Sequence, residues 1–194
     1  MPETDSAKVI VGISGASGAI YGVRLLERLR ARPNTEIHLV LTRSGEKTLF
    51  LETGKTASEV RQFADFWYPD EDIGCRLASG SCQIDAMVIA PCSIHTMSAI
   101  AHGISGNLMV RAADVILKER RKLVLLVRES PFHLGHLKSM TLLAEMGAII
   151  APPIPGFYHN PQTAMDLVDH SVDRTLDLIG LPDAGVRRWD GRTK

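Results

Sequence analysis

A glycine-rich turn with two serines lies close to the beginning of the chain, in the segment VGISGASGAIYG at residues 11–22. Its glycines recur at every third position and enclose the serines, in the order Gly12, Ser14, Gly15, Ser17 and Gly18. A turn that leads into a helix in this way offers backbone N–H groups and hydroxyls to an anion or to the polar edge of a flavin. The alternative is a tight turn whose serines only cap the helix. The turn by itself does not decide between the two.

The spacing of this turn excludes three familiar motifs. A nucleophile elbow needs Gly-x-Ser-x-Gly, but Ala16 and Ala19 stand where its last glycine would be. A Walker loop needs a lysine before its Ser or Thr, and this turn contains none. The dinucleotide fingerprint Gly-x-Gly-x-x-Gly fails because Ser14 replaces its second glycine. The turn therefore lacks the fingerprint of FAD or nicotinamide dinucleotide sites, and an anion, the polar edge of a flavin or no ligand at all remain as alternatives.

A second pair of hydroxyl-bearing residues, Ser93 and Thr96, follows an apolar run and precedes a predicted helix. Two helix N-termini with hydroxyl groups would then face one crevice, an arrangement that favours a phosphorylated cofactor over a carboxylate. Two ordinary helix caps are the alternative interpretation.

Two charged residues, Arg128 and Glu129, directly follow the apolar run LVLLV at residues 123–127, so we expect both to be partly desolvated. A buried charge is costly unless it is paired or bound by a ligand, and a structural Arg–Glu ion pair is therefore the alternative. Beside a flavin, Glu129 would be a proton relay if burial raised its pKa toward working pH. Further along, Tyr158 and Arg174 would add a phenol and a guanidinium for another phosphate.

The elements that must position these residues alternate along the chain. Short apolar runs predict five strands, at residues 9–12, 36–41, 86–90, 123–127 and 147–151. Helical spacing or capping residues predict helices at 19–30, 56–64, 96–102, 108–118, 136–146 and 166–178. Continuous apolar strands separated by helices indicate a doubly wound α/β domain with a parallel sheet. We expect one domain over residues 1–194, with a core at about 8–180 and a tail at 181–194. Ligands of such sheets bind beyond the carboxyl ends of the strands, where the polar residues above are found.

The composition excludes several other classes of protein. Lys plus Arg and Asp plus Glu number 22 each, which leaves no basic field for nucleic acid. No apolar run is long enough to span a membrane, and the polar N-terminus does not resemble a signal peptide. The three cysteines fit no zinc spacing, so we expect buried thiols in a cytoplasmic protein without a metal site.

Three segments of the chain together resemble the UbiX-type flavin prenyltransferases: GISGASGAIYG, PCSIHTMSAIAHGISGNLMVRAADVILKERRKLVLLVRESP and PPIPGFYHNPQT. The resemblance extends from about Val9 to Trp189. It implies a flavodoxin-like Rossmann fold in a dodecamer and transfer of a dimethylallyl group from dimethylallyl monophosphate to N5 and C6 of reduced FMN. It further implies that the prenylated flavin serves a partner decarboxylase of the UbiD type.

The resemblance also implies roles for individual residues. Those expected to contact FMN are Gly15, Ala16, Ser17, Thr42, Ser93, Ile94, His95, Thr96 and Arg128. Those expected around the prenyl phosphate are Lys118, Arg128, Tyr158, Arg174 and Trp189. Ser17 and Glu129 are expected to be catalytic, by moving protons at N5 and C6, and no metal is expected. His95 departs from the family, because a lysine or arginine is usual there, and a neutral imidazole would reduce the positive charge near the flavin.

Three other functions are compatible with a flavin-binding domain of this kind. A phosphopantothenoylcysteine-type decarboxylase would carry a PxMN segment, whereas this chain has PCSIHT. An accessory subunit of a decarboxylase without its own prenyl transfer would have no need to retain Glu129, Tyr158 and Arg174. An electron-transfer flavodoxin would have no use for Lys118 together with Tyr158 and Arg174. Prenyl transfer is therefore the function that we expect.

Overall fold

Six parallel strands form one sheet in the computed structural model, which describes residues 6–182 and 191. The strands are β1 (Ala7–Ile13), β2 (Thr35–Leu41), β3 (Phe66–Pro69), β4 (Ala86–Cys92), β5 (Lys122–Val127) and β6 (Ile149–Ile150). Their order across the sheet is β3-β2-β1-β4-β5-β6. The chain therefore reverses direction across the sheet between β1 and β4, which is the switch point where doubly wound folds bind ligands.

Seven helices connect the strands over the described residues. They are α1 (Ala19–Arg30), α2 (Arg43–Thr53), α3 (Ala57–Arg61), α4 (Ile94–Ala101), α5 (Leu108–Lys118), α6 (Leu134–Glu145) and α7 (Ala164–Ile179). The apolar residues of α1 and α7 pack on one face of the sheet, and those of α4, α5 and α6 pack on the other. The predicted doubly wound α/β fold is confirmed. No helix in the described part of the chain is long and apolar enough to cross a bilayer.

The alternation of side chains along each strand divides the core in two. In β1, Val9 and Val11 point toward α1 and α7, whereas Ile10 joins the cluster on the α4–α5 side. All three side chains are at most 1% exposed. Burial on both faces explains why the strands appear in the sequence as continuous apolar runs.

Two elements of the sheet edge were not predicted from the sequence. Strand β3 pairs with β2 but has only four residues, of which Phe66 and Trp67 are exposed. Helix α2 occupies residues for which no element was predicted, and it buries only Gly45 and Leu49. An element with so few buried residues shows no clear periodic spacing of apolar residues, so its sequence does not identify it as a helix or a strand.

Strand β4 does not stop at Pro91, as its sequence predicted, but continues to Cys92. A proline cannot donate to a strand ladder, and the pairing of β4 with β5 shifts register between Ile89 and Cys92. The irregular end of the strand brings the carbonyl oxygen of Pro91 to the loop after β1, where it accepts from the N–H of Ser14 at 3.2 Å.

Candidate functional site

Three helix N-termini meet at the carboxyl ends of the neighbouring strands β2, β1 and β4. Thr42 caps α2 by accepting from the N–H of Gly45 at 2.9 Å, and Ser93 caps α4 by accepting from the N–H of Thr96 at 3.2 Å. Helix α1 begins after Gly18, whose φ of 100° lies in the left-handed region that glycine adopts without strain. The crevice therefore presents backbone N–H groups and hydroxyls from three loops, which suits an anionic cofactor.

Ser14 joins two of these loops, a role that the sequence did not reveal. Its side chain is 1% exposed, donates to the carbonyl of Pro91 at 2.8 Å and accepts from the N–H of Ser93 at 2.7 Å. The first serine of the glycine-rich turn therefore holds the turn against the loop after β4. Its hydroxyl is fully engaged within the protein and is not offered to a ligand.

Replacing Ser14 with alanine is expected to destabilise the protein by about 1–3 kcal/mol, because the N–H of Ser93 loses its acceptor and the carbonyl of Pro91 loses one of its two donors. Unfolding in urea measures the change, with Ser105→Ala in an exposed loop as the control. We also expect weaker FMN binding, since the two loops would no longer be held together. An S14A protein as stable as the wild type would show that water replaces the hydroxyl without cost.

The second serine, Ser17, is exposed and faces the crevice, next to Gly15 and the buried Ala16. Gly15 must be glycine because a Cβ there would lie 2.4 Å from the Cβ of Ser44 at the beginning of α2. The turn therefore lies directly against α2.

A carboxylate from α2, Glu52, occupies the N-terminus of α1. Its Oε2 accepts from the N–H of Gly18 at 2.8 Å and from that of Ala19 at 2.9 Å. Partial burial raises the pKa of Glu52, but hydrogen bonds from Ser17, Gly18 and Ala19 and the charge of Arg128 outweigh it, so the pKa lies below its ordinary value. Glu52 was not among the predicted site residues, because α2 itself was not predicted.

Arg128 and Glu129 follow the carboxyl end of β5, which lies next to β4, and the charge of Arg128 acts on Glu52. Arg128 is exposed, so the expectation that both charges are desolvated is wrong for this residue. The N–H of Arg128 still donates to the carbonyl of Cys92. Because β5 ends at Val127, the side chain of Arg128 lies beyond the end of the strand. Glu129 is half-buried, and its carboxylate accepts from the N–H of Ser130 at 2.9 Å. No ion pair joins Arg128 to Glu129 in the part of the chain that the structure describes.

The segment after β4 places its predicted residues on the first turn of α4. The hydroxyl of Ser93 lies 3.1 Å from that of Thr96, which is buried, while Ile94 is half-buried and His95 is exposed. The donors of this turn and the Thr42 hydroxyl fit the phosphate and polar edge of FMN. The structure places Thr42, Ser93 and Thr96 at helix N-termini beside the glycine-rich turn, and it adds Glu52 next to Ser17.

Lys118 is not brought to this crevice by its own chain. It ends α5, immediately before the amino end of β5, whereas Arg128 follows the carboxyl end of that strand. A strand of this length separates the two by about 20 Å, which is more than a lysine side chain spans. Lys118 contacts Glu119 and lines a separate cavity of about 590 Å³ at the C-terminal ends of α4, α5 and α6.

Tyr158 and Arg174 form another group, on the loop after β6 and on α7. The phenol of Tyr158 lies 2.7 Å from Nε2 of His170, and His170 and Arg174 line one cavity of about 100 Å³ beside Pro152. Arg174 donates to Asp177 at 2.6 Å. Trp189, the remaining residue predicted near the prenyl phosphate, lies outside the described residues.

Among the described residues, no three His, Cys, Asp or Glu side chains lie close enough together to hold a metal ion. The three cysteines are free thiols, and complete burial raises the pKa of Cys92 far above its ordinary value.

Comparison with known proteins shows which family shares this arrangement. The sequence profile of the Flavoprotein family matches residues 2–176. The flavin prenyltransferase UbiX of Escherichia coli K12 is 53% identical over 186 residues, which cover 95% of this chain and 98% of the relative. A dodecameric FMN-dependent UbiX-like decarboxylase from Escherichia coli O157:H7 superposes with a TM-score of 0.93 at 46% identity, covering 95% of this chain and 100% of the other. The structure of AnUbiX (PadA1) in complex with FMN and dimethylallyl pyrophosphate has a TM-score of 0.93 at 41% identity, covering 96% and 99%.

Proposed function

The chain belongs to the Flavoprotein family and, within it, to the UbiX-type flavin prenyltransferases, and from this premise we propose how its residues carry out the reaction. It transfers a prenyl group to FMN. We propose that the donor is dimethylallyl monophosphate and that the new bonds form at N5 and C6 of reduced FMN. The observation that carries the proposal is the crevice in which three helix N-termini lie beside Ser17, Glu52 and Arg128.

Binding of FMN is assigned to the loops after β1, β2 and β4. The hydroxyls of Thr42, Ser93 and Thr96 and the N–H groups of the first turn of α4 hold the phosphate, and the Gly15–Ala16–Ser17 turn lies along the polar edge of the ring. Reduced FMN, when bound, supplies the nucleophilic N5 and C6 atoms. The positive charge of Arg128 near Ser17 adds to the field that favours an anionic ligand.

Proton transfer is assigned to Glu129, which follows β5, and to Ser17, which lies beside Glu52. As the C–O bond of the donor breaks, the phosphate leaves with the electron pair, and protons are lost from the flavin atoms that form the new bonds. Glu129, half-buried at the end of β5, accepts and returns a proton, and the Ser17 hydroxyl, hydrogen-bonded to Glu52, carries one at N5. Cationic side chains and the Tyr158 phenol stabilise the departing phosphate.

The donor phosphate requires groups that one chain does not bring to its own crevice. Lys118 lies at the opposite end of the sheet from Arg128. We therefore propose that the complete site is assembled from more than one copy of the chain, in a dodecamer like that of the solved relative. Exposed apolar side chains, among them Leu51, Leu134 and Phe157, are available for the contacts between copies.

The proposed function is tested by mass spectrometry of the flavin after anaerobic incubation with reduced FMN and dimethylallyl monophosphate. We expect the flavin to gain one dimethylallyl group and inorganic phosphate to be released, and the diphosphate is compared in parallel. One solved relative is described as a decarboxylase. Release of CO₂ from an aromatic acid by this chain alone, with no change in the mass of the flavin, would favour that second function.

Arg174→Ala is expected to lower kcat/KM for the prenyl donor by about 10- to 100-fold, because a charge-assisted contact to phosphate contributes about 1.5–3 kcal/mol. Affinity for FMN should change little, since Arg174 lies on α7 and outside the hydroxyl-lined loops. Initial rates at several donor concentrations, with FMN titrations, separate the two effects. Arg30→Ala is a matched control, because Arg30 is similarly exposed and pairs with Asp65. Equal loss of FMN binding would make Arg174 a flavin-binding or structural residue.

We further propose that the prenylated flavin passes to a decarboxylase of the UbiD type and that the protein works in the cytoplasm. The free thiols of Cys75, Cys82 and Cys92 are compatible with a reducing compartment. Restoration of activity to a cofactor-free UbiD-type decarboxylase by the reaction mixture is the direct test of the first proposal.

A further inference from the structure

A cluster of rings surrounds the phenol of Tyr158, and the proposed reaction does not yet account for it. Nε2 of His170 lies 2.7 Å from the Tyr158 hydroxyl. The ring of His159 stacks on that of His170, with centroids 4.3 Å apart and planes 10° apart. Arg174 follows His170 by one helical turn, and both line the cavity beside Pro152 and Pro153. His170 and Arg174 thus line one small cavity, and Tyr158 and His159 contact His170 beside it.

The fit of these rings depends on Gly156. A Cβ at this position would lie 3.3 Å from Cε1 of His170 and 3.3 Å from Cε1 of Tyr158. Both distances are tighter than ordinary van der Waals contact, so a larger residue here would require the rings of His170 and Tyr158 to shift by a few tenths of an ångström. The loop after β6 therefore passes close to the paired rings.

We propose that His170 is a positioning residue for the prenyl donor: its Nε2–H donates to the phenolic oxygen of Tyr158 and leaves the Tyr158 O–H to donate to the donor phosphate beside Arg174. The inference rests on the proposed function, in which Tyr158 and Arg174 bind that phosphate. It adds the residue that decides whether the phenol acts there as a donor.

The proposed direction of this hydrogen bond follows from the needs of a phosphate, whose oxygens accept hydrogen bonds and require donors. A phosphate ester offers only acceptor oxygens at neutral pH, so a phenol whose O–H is given to a histidine nitrogen has nothing to offer it. If Nε2 carries the proton, the phenolic oxygen accepts from His170 and its own O–H is available to the phosphate. The guanidinium of Arg174, which also pairs with Asp177, supplies the charge.

The surroundings of His170 also make its protonation respond to the ligand. Burial lowers the pKa of His170, and the nearby His159 and Arg174 lower it further. The carboxylates in the neighbourhood are already engaged, Asp177 by Arg174 and Asp166 by the N–H groups of Gln162 and Thr163. A bound phosphate adds negative charge and raises the pKa again. By linkage, donor binding takes up protons and strengthens as pH falls from about 8 toward 6.

Substitution of His170 by glutamine or leucine tests the inference. His170→Leu removes the donor to Tyr158, so KM for dimethylallyl monophosphate should rise about three- to tenfold, with kcat and FMN affinity nearly unchanged. His170→Gln keeps an N–H group that can donate to Tyr158, but its side chain does not titrate. Compared with H170L, it should restore most of the affinity for dimethylallyl monophosphate at pH 8. At pH 6 it should lack the extra affinity that the wild type gains. The KM of the wild type is divided by the KM of H170Q at each pH. In this ratio the effect of ionisation of dimethylallyl monophosphate itself cancels.

Calorimetry gives a readout that does not depend on turnover. Binding of dimethylallyl monophosphate to the oxidised FMN complex is measured in buffers of different ionisation enthalpy. The wild type should take up protons at pH 6.5 in excess of the ligand's own share, and H170Q should not. Equal proton uptake and equal KM values in wild type, H170Q and H170L would overturn the inference. Absence of prenylated FMN with the wild type would instead reject the proposed function.

Discussion

Glu129→Gln is expected to lower the rate of flavin prenylation by about 10²- to 10⁴-fold, which is the usual contribution of general acid–base catalysis. The substitution keeps the shape of the side chain and its ability to accept from the N–H of Ser130, but it removes the titratable group. FMN should still bind, because the hydroxyls and N–H groups that hold it lie on the loops after β1, β2 and β4. Single-turnover rates with reduced FMN, followed by absorbance and mass spectrometry, measure the loss.

The structure strengthens this prediction by removing its main alternative. Had Glu129 been the buried partner of Arg128, its substitution would chiefly have destabilised the protein by leaving a charge unpaired. Arg128 instead is exposed and acts on Glu52, and Glu129 remains half-buried without it. Glu71→Gln, at an exposed glutamate after β3, is the control for a general effect of lost charge. An E129Q protein that prenylates FMN at the wild-type rate would remove Glu129 from the mechanism.

The parts of the fold predicted from the sequence are those in which burial imposes a strong pattern. The bounds of α1 and α5 were predicted correctly, because each buries six or more residues at helical spacing between a glycine or asparagine cap and a basic last turn. Strands β1, β2, β4 and β5 were found because their residues are buried on both faces of the sheet. The polar loops were then placed by topology, since the carboxyl ends of parallel strands share one edge.

The parts that were missed depend on contacts between distant segments. Ser14 and Ser17 are chemically identical in the sequence, and only the approach of Pro91 and Ser93 makes one structural and leaves the other to the crevice. Glu52 belongs to an amphipathic helix with little burial, so no local pattern connected it with the N-terminus of α1. The family resemblance, and no local pattern, grouped Lys118 with Arg128 around the prenyl phosphate, and nine residues lie between the two. Those residues include all of β5, which carries the two to opposite ends of the sheet.

This separation leads to the second large effect that we expect, recovery of activity in mixed assemblies. Lys118→Ala should lower activity about 10- to 100-fold through the lost phosphate contact, and Glu129→Gln should lower it more. If each site takes Lys118 from one copy and Glu129 from another, co-expression of K118A and E129Q chains assembles some sites in which both residues are intact. Random mixing of equal amounts gives about a quarter of the wild-type activity, well above that of either variant alone.

A second mixture serves as the matched control, because it pairs residues that the structure places at one crevice. Arg128 and Glu129 are adjacent at the end of β5. A site that needs both from the same chain gains nothing when R128A and E129Q chains are mixed. Separately tagged chains, purified on both tags in sequence, ensure that only mixed assemblies are assayed. Recovery in the first mixture and none in the second would establish that copies share the site. No recovery in either would mean that Lys118 acts within its own chain or only stabilises the end of α5, where it contacts Glu119.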